Sequence, residues 1–157
     1  MTMKTPIRFT VEDAQAAADE WRFNCGPGAL CAILNMTPAQ IRPHMLDFER
    51  KGYTNPRLMR QILDGLRIAY RWEVVPIQHP PRSLWLDNSL IRVQWAGPWT
   101  EPAVPMAARY RHTHWIACRH NGTPEVDVFD INATCAGGWV PLTEWTDQLV
   151  PWLLREC

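Results

Sequence analysis

The chain has 157 residues, and its 16 Lys and Arg residues balance 16 Asp and Glu residues, so the formal net charge is zero. Because proteins that bind nucleic acid or anionic membranes usually present a basic surface, we expect neither as a main partner. The length is sufficient for a hydrophobic core, and we expect a single domain over residues 1–157.

The cysteine content argues against structural cross-links. The chain has an odd number of cysteines and no pair has Cys-x-x-Cys spacing, so neither a disulfide framework nor a four-cysteine zinc site is favoured. The first residues lack the apolar core of a signal peptide, and no later run reaches the length of a membrane span. We therefore expect a cytoplasmic protein in a reducing compartment.

Helix signals occupy the first part of the chain. Residues 11–21 are rich in alanine, with acidic residues early, which predicts a short helix. Residues 27–35 predict an apolar helix. Two further helices, over residues 37–50 and 55–66, each begin with an N-cap residue followed by proline, which suits a first helical turn.

Cys25 stands at the start of the apolar helix. Gly26 and Pro27 allow a tight turn and then preset the first helical turn. At a helix N-terminus, the helix dipole and the unpaired N–H groups favour a thiolate, which is the nucleophilic form of cysteine. The alternative is a plain buried cysteine, since free cysteine is among the most buried residue types.

The middle of the chain changes to strands and rigid loops. Residues 70–74 and 90–95 alternate in polarity and predict two strands. A proline-rich connection over residues 76–88 separates them. Residues 96–106 are rich in proline and glycine, which predicts a rigid loop suited to form the wall of a cleft.

A predicted hairpin brings together a histidine and an aspartate. Its strands cover residues 109–119 and 125–131, and a turn centred on residue 122 places His114 opposite Asp130. A carboxylate in that position can fix the tautomer of an imidazole and support its charged form. The alternatives are a histidine with only a packing role and an aspartate that caps the strand end together with Asn132.

Three histidines in this region also raise the question of a metal site. On a strand, His112 and His114 share a face, whereas His120 lies past the predicted end, and no cysteine pair completes the set. We expect no metal and no other cofactor.

The C-terminal residues 137–157 predict a short strand and an amphipathic helix that packs against the sheet. Trp145, Leu149, Trp152 and Leu153 recur on one side of this helix, and Pro151 marks a kink or a start point.

Eight short segments, taken in chain order, form a recognisable pattern: Cys25-Gly26-Pro27 with Leu30, Gly52-Tyr53-Thr54-Asn55, Gly65-Leu66, Leu90 to Trp95, His114-Trp115-Ile116, Val128-Phe129-Asp130, Gly137-Gly138-Trp139-Val140 and Trp145. Their order and spacing resemble the bacteriocin-processing peptidases, a papain-like family that cuts leader peptides after a double glycine.

The resemblance implies a fold, an activity and a set of site residues. The fold is α+β and papain-like, with N-terminal helices packed on a C-terminal antiparallel sheet. The activity is that of a cysteine peptidase hydrolysing a peptide or amide bond of a peptide or protein substrate. Cys25 is then the nucleophile, His114 the general base and acid, and Asp130 the residue that orients the histidine.

One position departs from the family pattern. The family places a glutamine six residues before its cysteine as an oxyanion donor, and Asp19 stands there in this chain. An ionised aspartate only accepts hydrogen bonds. The replacements we consider are the indole N–H of Trp21 and the side-chain amide of Asn24, beside the backbone N–H of Cys25. Alternatively, Trp21 is a core residue and Asn24 a helix cap.

Two other functions are compatible with the same residues. An amidase or an acyl transferase uses the same triad on a different substrate. A catalytically weak or inactive binding protein on the same fold would explain the absent glutamine, although a pure binder has no chemical need for a thiol at position 25.

Overall fold

The computed structural model describes residues 6–73, 88–109, 111–120 and 124–156. Its helices are α1 (Val11–Trp21), α2 (Cys25–Leu34), α3 (Pro38–Ile41), α4 (Phe48–Lys51), α5 (Pro56–Gly65), α6 (Leu142–Glu144) and α7 (Val150–Glu156). Its strands are β1 (Ser89–Gln94), β2 (Thr113–His120), β3 (Val126–Phe129) and β4 (Val140–Pro141). The strands form one antiparallel sheet in the order β1-β2-β3-β4, so the α+β class expected from the sequence is confirmed.

Local cap chemistry explains where the three longest N-terminal helices begin. At α1, Thr10 accepts a hydrogen bond from the Asp13 backbone N–H at 3.1 Å, and the Asp13 carboxylate accepts one from the Thr10 N–H at 2.9 Å. Asn24 and Asn55 cap α2 and α5 with their side-chain oxygens, which accept hydrogen bonds from the Gly26 and Leu58 N–H groups. These boundaries agree with the predicted ones to within two residues.

The single helix predicted over residues 37–50 is wrong. The structure has α3, a 3₁₀ turn at Arg42–His44 and then α4. Pro43 lacks the N–H that an α-helix would need at that point, and Leu46 adopts a left-handed backbone conformation with φ of 51°. These two residues divide the segment.

The prediction of a strand over residues 70–74 is also not met. Residues 70–73 make no strand pairing within the described part of the chain, while Val74 and most of the predicted connection lie outside it. The predicted loop after β1 is confirmed, with 3₁₀ turns at Pro98–Thr100 and Met106–Ala108.

The β2–β3 hairpin forms with a register two residues away from the predicted one. Ala117 lies opposite Phe129, which makes Ile116 the extrapolated partner of Asp130, in place of His114. Side chains alternate between faces with a period of two, so this shift leaves His114 and Asp130 on the same face as diagonal neighbours. Residues 121–123, which hold the predicted turn, lie outside the described residues.

The sheet lies between two apolar clusters. On one face, Trp115, Ala117 and Phe129 pack with side chains of α1, α2 and α5. On the other face, Ile116 and Val128 pack with the C-terminal helical segment, residues 142–156. His114 and Asp130 belong to the second face by their position in the alternation.

The C-terminal segment is one run of helical turns with a π turn, Trp145–Leu149, between α6 and α7. Trp145 and Leu153 are buried as predicted, but Trp152 is 39% exposed and does not belong to the apolar side. The wider π turn changes the angular position of the residues that follow it, which the regular helical spacing does not anticipate. In the described part of the chain, no helix combines the length and apolarity needed to cross a membrane.

Candidate active site

Asn24 fixes the turn that carries Cys25. Its side-chain oxygen accepts a hydrogen bond from the Gly26 N–H at 3.2 Å, and its carbonyl oxygen accepts one from the Gly28 N–H at 2.9 Å. Its side-chain amide donates to the Gly52 carbonyl oxygen at 3.0 Å. Cys25 is therefore the first helical residue of α2, and its side chain is half-buried.

Thr54 packs against the turn that carries Cys25. A Cβ atom on residue 26 would lie 2.3 Å from Thr54 Oγ1, so only glycine fits there without displacement. The Thr54 carbonyl oxygen accepts a hydrogen bond from the Trp115 indole N–H at 2.7 Å. Because Trp115 follows His114 on β2, this contact joins the support of the cysteine turn to the strand that carries the histidine.

The structure brings together the three predicted site residues. His114 Nε2 lies 2.9 Å from Asp130 Oδ1, and the two side chains are 11% and 0% exposed. At this distance the imidazole and the carboxylate form a close ion pair. The Cys25 side chain is close enough to His114 to contribute to the raised pKa of the imidazole. Since Nε2 faces Asp130, Nδ1 is the ring nitrogen left for Cys25.

Asp130 is held by donors on both of its carboxylate oxygens. Oδ1 accepts hydrogen bonds from the Asn132 backbone N–H at 2.9 Å and from the Asn132 side-chain amide at 3.0 Å. Oδ2 accepts one from the Trp145 indole N–H at 2.9 Å. The predicted turn with Asn132 and the predicted contact with His114 therefore occur together.

Sequence reasoning assigned Trp145 only to the apolar side of a helix and missed its contact with Asp130. The available signal was chemical, because a buried tryptophan generally needs an acceptor for its indole N–H. The spacing along the chain did not identify that acceptor.

The electrostatics of the pair favour the ionised forms of both residues. Burial by itself would lower the pKa of His114, but the contacts with Asp130 and Cys25 outweigh it and raise that pKa to about 10. Burial would likewise raise the pKa of Asp130. The contacts with His114 and the hydrogen bonds from Trp145 and Asn132 outweigh this effect and hold the pKa of Asp130 below its usual value. The arrangement thus suits an imidazolium beside a carboxylate.

The two side chains considered as oxyanion donors have structural roles. Trp21 is 3% exposed and packs edge-to-face against Phe23 and Phe48, with the Arg42 guanidinium over its ring. Asn24 caps α2 and donates to Gly52. Trp21 is therefore a core residue and Asn24 a helix cap, as the alternatives stated. The Cys25 backbone N–H, at the start of α2, remains as the donor for an oxyanion.

Asp19, which stands where the bacteriocin-processing peptidases have a glutamine, is not part of the site. Asp19 lies on an exposed face of α1, where its carboxylate accepts a hydrogen bond from the Gln15 side-chain amide at 2.9 Å. The Gln15 side-chain amide is therefore also on the exposed surface of α1.

Aromatic side chains flank His114 on the side of the predicted rigid loop. The Trp95 ring meets the His114 ring edge-to-face at 6.4 Å between centroids, and the Trp99 ring stacks on His112 at 4.1 Å. The Trp99 indole N–H donates to the Trp95 carbonyl oxygen at 2.8 Å, and the Trp95 N–H donates to the His112 carbonyl oxygen at 3.1 Å. The loop is thus attached to the chain entering β2.

His112 and His114 therefore have different surroundings, and His120 is the last residue of β2. Among the side chains that the structure describes, no group of three or more His, Cys, Asp and Glu residues is arranged to hold a metal ion.

Comparisons of the chain with protein-family models, with curated proteins and with solved structures find no match.

Proposed function

We propose that this protein is a cysteine peptidase with a papain-like fold, in which Cys25, His114 and Asp130 form the catalytic triad. The observation that carries the proposal is the position of His114, which is buried between the Cys25 side chain and the Asp130 carboxylate. Burying two charged groups costs free energy that packing alone would not require. A thiol nucleophile, in contrast, needs a histidine and a carboxylate placed beside it.

The triad supports acyl transfer through a covalent intermediate. The Cys25 thiolate attacks the carbonyl carbon, and the new oxyanion is stabilised at the N-terminus of α2 by the Cys25 backbone N–H. The His114 imidazolium gives its proton to the leaving amine as the C–N bond breaks. Water then attacks the thioester while His114 takes its proton, and cleavage of the C–S bond releases the acid and restores the thiolate.

The placement of the elements is consistent with the papain-like proposal. The nucleophile begins a helix that packs on an antiparallel sheet. The histidine lies on β2, and the aspartate directly follows the adjacent strand β3. Together with the motif order that resembles bacteriocin-processing peptidases, this placement favours a peptide over a small amide as the substrate.

The absent glutamine favours a second candidate, a weakly active or inactive binding protein. Loss of one oxyanion donor typically lowers the rate by a factor of about 10²–10³. Because Asp19 and Gln15 are paired on the surface of α1, neither replaces that donor.

A peptide-cleavage assay tests the proposal. The wild type and the Cys25→Ser variant are incubated with a mixture of peptides that includes double-glycine sequences, and new termini are identified by mass spectrometry. We expect cleavage by the wild type only. Cleavage that persists in Cys25→Ser would contradict a thiol mechanism, and tight retention of an uncleaved peptide by both proteins would support the binding protein.

A further inference from the structure

The indole of Trp145 lies against the side of Asp130 that His114 does not use. Its N–H donates to Oδ2 at 2.9 Å, while His114 contacts Oδ1. Trp145 is 6% exposed and Asp130 is fully buried, so water does not substitute for this donor. The carboxylate is therefore held on both oxygens, by Asn132 and the histidine at Oδ1 and by the indole at Oδ2.

The fold places Trp145 independently of this hydrogen bond. In β4, Val140 pairs with Val128, two residues before Asp130, and the C-terminal segment begins directly after β4. Leu149 and Val150 of that segment pack on the same face of the sheet. Trp145 opens the π turn, a feature that is frequent at functional sites. The indole thus reaches Asp130 from an element anchored by its own apolar contacts.

We propose that Trp145 is a positioning residue of the thiol site, whose indole N–H prevents rotation of the Asp130 carboxylate and keeps Oδ1 directed at His114. This inference rests on the proposed triad and adds the C-terminal segment to it. Among the residues that the structure describes, the polar groups in contact with the carboxylate are the His114 ring, the Asn132 backbone and side chain, and this indole.

The His114–Asp130 contact depends on the orientation of the carboxylate. Because His114 Nε2 and Asp130 Oδ1 are 2.9 Å apart, a rotation of the carboxylate would lengthen this contact and weaken it. The imidazole would then lose both its orientation toward Cys25 and part of the support for its charged form.

Trp145→Phe tests the proposal, because phenylalanine keeps an aromatic ring in the apolar cluster and removes the N–H. The measured quantity is the rate of Cys25 alkylation by iodoacetamide as a function of pH. We expect a rate near neutral pH lower by about 10- to 100-fold, the scale of small misplacements in catalytic sites. We also expect the midpoint of the rate–pH profile to move to higher pH, which loss of packing alone would not produce.

Trp139→Phe is the matched control. Trp139 is buried to a similar degree, and its ring packs against Phe129 and under the Arg119 guanidinium, away from the Asp130 carboxylate. Its substitution is expected to leave the alkylation profile unchanged. If Trp145→Phe does not fold, benzothienylalanine at position 145 removes the N–H while it keeps the size and shape of the indole.

The outcomes separate this inference from the proposed function. A slower, shifted profile in the position-145 variant with an unchanged control supports the positioning role. A profile identical to that of the wild type overturns it. If the wild type shows no His114-dependent alkylation of Cys25, the proposed triad itself fails, and the positioning role fails with it.

Discussion

Replacing Gly26 with alanine tests how the turn that carries Cys25 is held. The added Cβ atom would lie 2.3 Å from Thr54 Oγ1 and 2.8 Å from Thr54 Cβ, well inside contact distance. Thr54 is 7% exposed and its carbonyl oxygen is bound to the Trp115 indole at 2.7 Å, so it has little freedom to move away. We expect Gly26→Ala to lower the free energy of unfolding by about 1–3 kcal/mol, the usual cost of overpacking.

Gly65→Ala provides the control. Gly65 ends α5, and a Cβ atom there would meet nothing within 4 Å. Alanine is the better helix former, so this change is expected to stabilise the protein by up to about 1 kcal/mol. Urea unfolding followed by far-UV circular dichroism measures both effects.

A double variant distinguishes the clash from a general effect of alanine near the helix start. Thr54→Ala removes Oγ1, the atom closest to the new Cβ, so Gly26→Ala should cost less in that background than in the wild type. Equal unfolding midpoints for Gly26→Ala and Gly65→Ala would refute the argument that Thr54 braces the cysteine turn.

Three further predictions concern the same site. Asp130→Asn removes the charge beside His114. We expect the NMR titration of the imidazole to move to lower pH, and the free energy of unfolding to fall by about 3–5 kcal/mol because a buried charge loses its partner. An unchanged titration would contradict the ion pair. Because the pKa of His114 is raised from 6.5 to about 10, its stabilising contribution is complete below the lower value and is lost as pH rises through the higher one. The urea midpoint should therefore decrease more on going from neutral to alkaline pH in the wild type than in His114→Ala. Equal decreases in the two proteins would contradict a stabilising contribution from the charged His114. Asn24→Ala removes both the cap of α2 and the bond to Gly52 and should cost about 0.5–2 kcal/mol. Asn24→Asp keeps the cap acceptor, loses only the bond to Gly52 and should cost less; similar losses in both variants would show that the cap is not the cause.

The helix boundaries and the faces of the strands were accessible from sequence because they depend on local chemistry. Thr10, Asn24 and Asn55 act within a few residues of their position, and the alternation along β2 is independent of the exact turn. For this reason the two-residue error in the hairpin register still left His114 and Asp130 side by side.

The break in the segment 37–50 could have been anticipated only in part. Pro43 is a visible helix breaker, but the prediction used only the cap signals at Thr37 and took no account of it. The left-handed conformation of Leu46 has no signal in the residue type, since a leucine rarely adopts it without support from the rest of the fold.

The contacts that connect distant segments could not be predicted from the sequence. The bond from Trp115 to Thr54 joins residues 61 positions apart, and the bond from Trp145 to Asp130 crosses from the C-terminal helical segment to the end of β3. Sequence spacing identifies an indole as buried, yet the choice of its acceptor depends on how the elements pack. The roles of Trp21 and Asn24 were undecided for the same reason.

Selective alkylation of Cys25 tests the central claim most directly. Wild type and His114→Ala are treated with iodoacetamide at about pH 6, and the label is located by peptide mass spectrometry. Cys31 and Cys118 serve as internal references, because burial raises the pKa of both thiols. Rapid labelling of Cys25 that falls in His114→Ala is the predicted result. Slow labelling of Cys25, or labelling that does not depend on His114, would contradict a working thiolate–imidazolium pair.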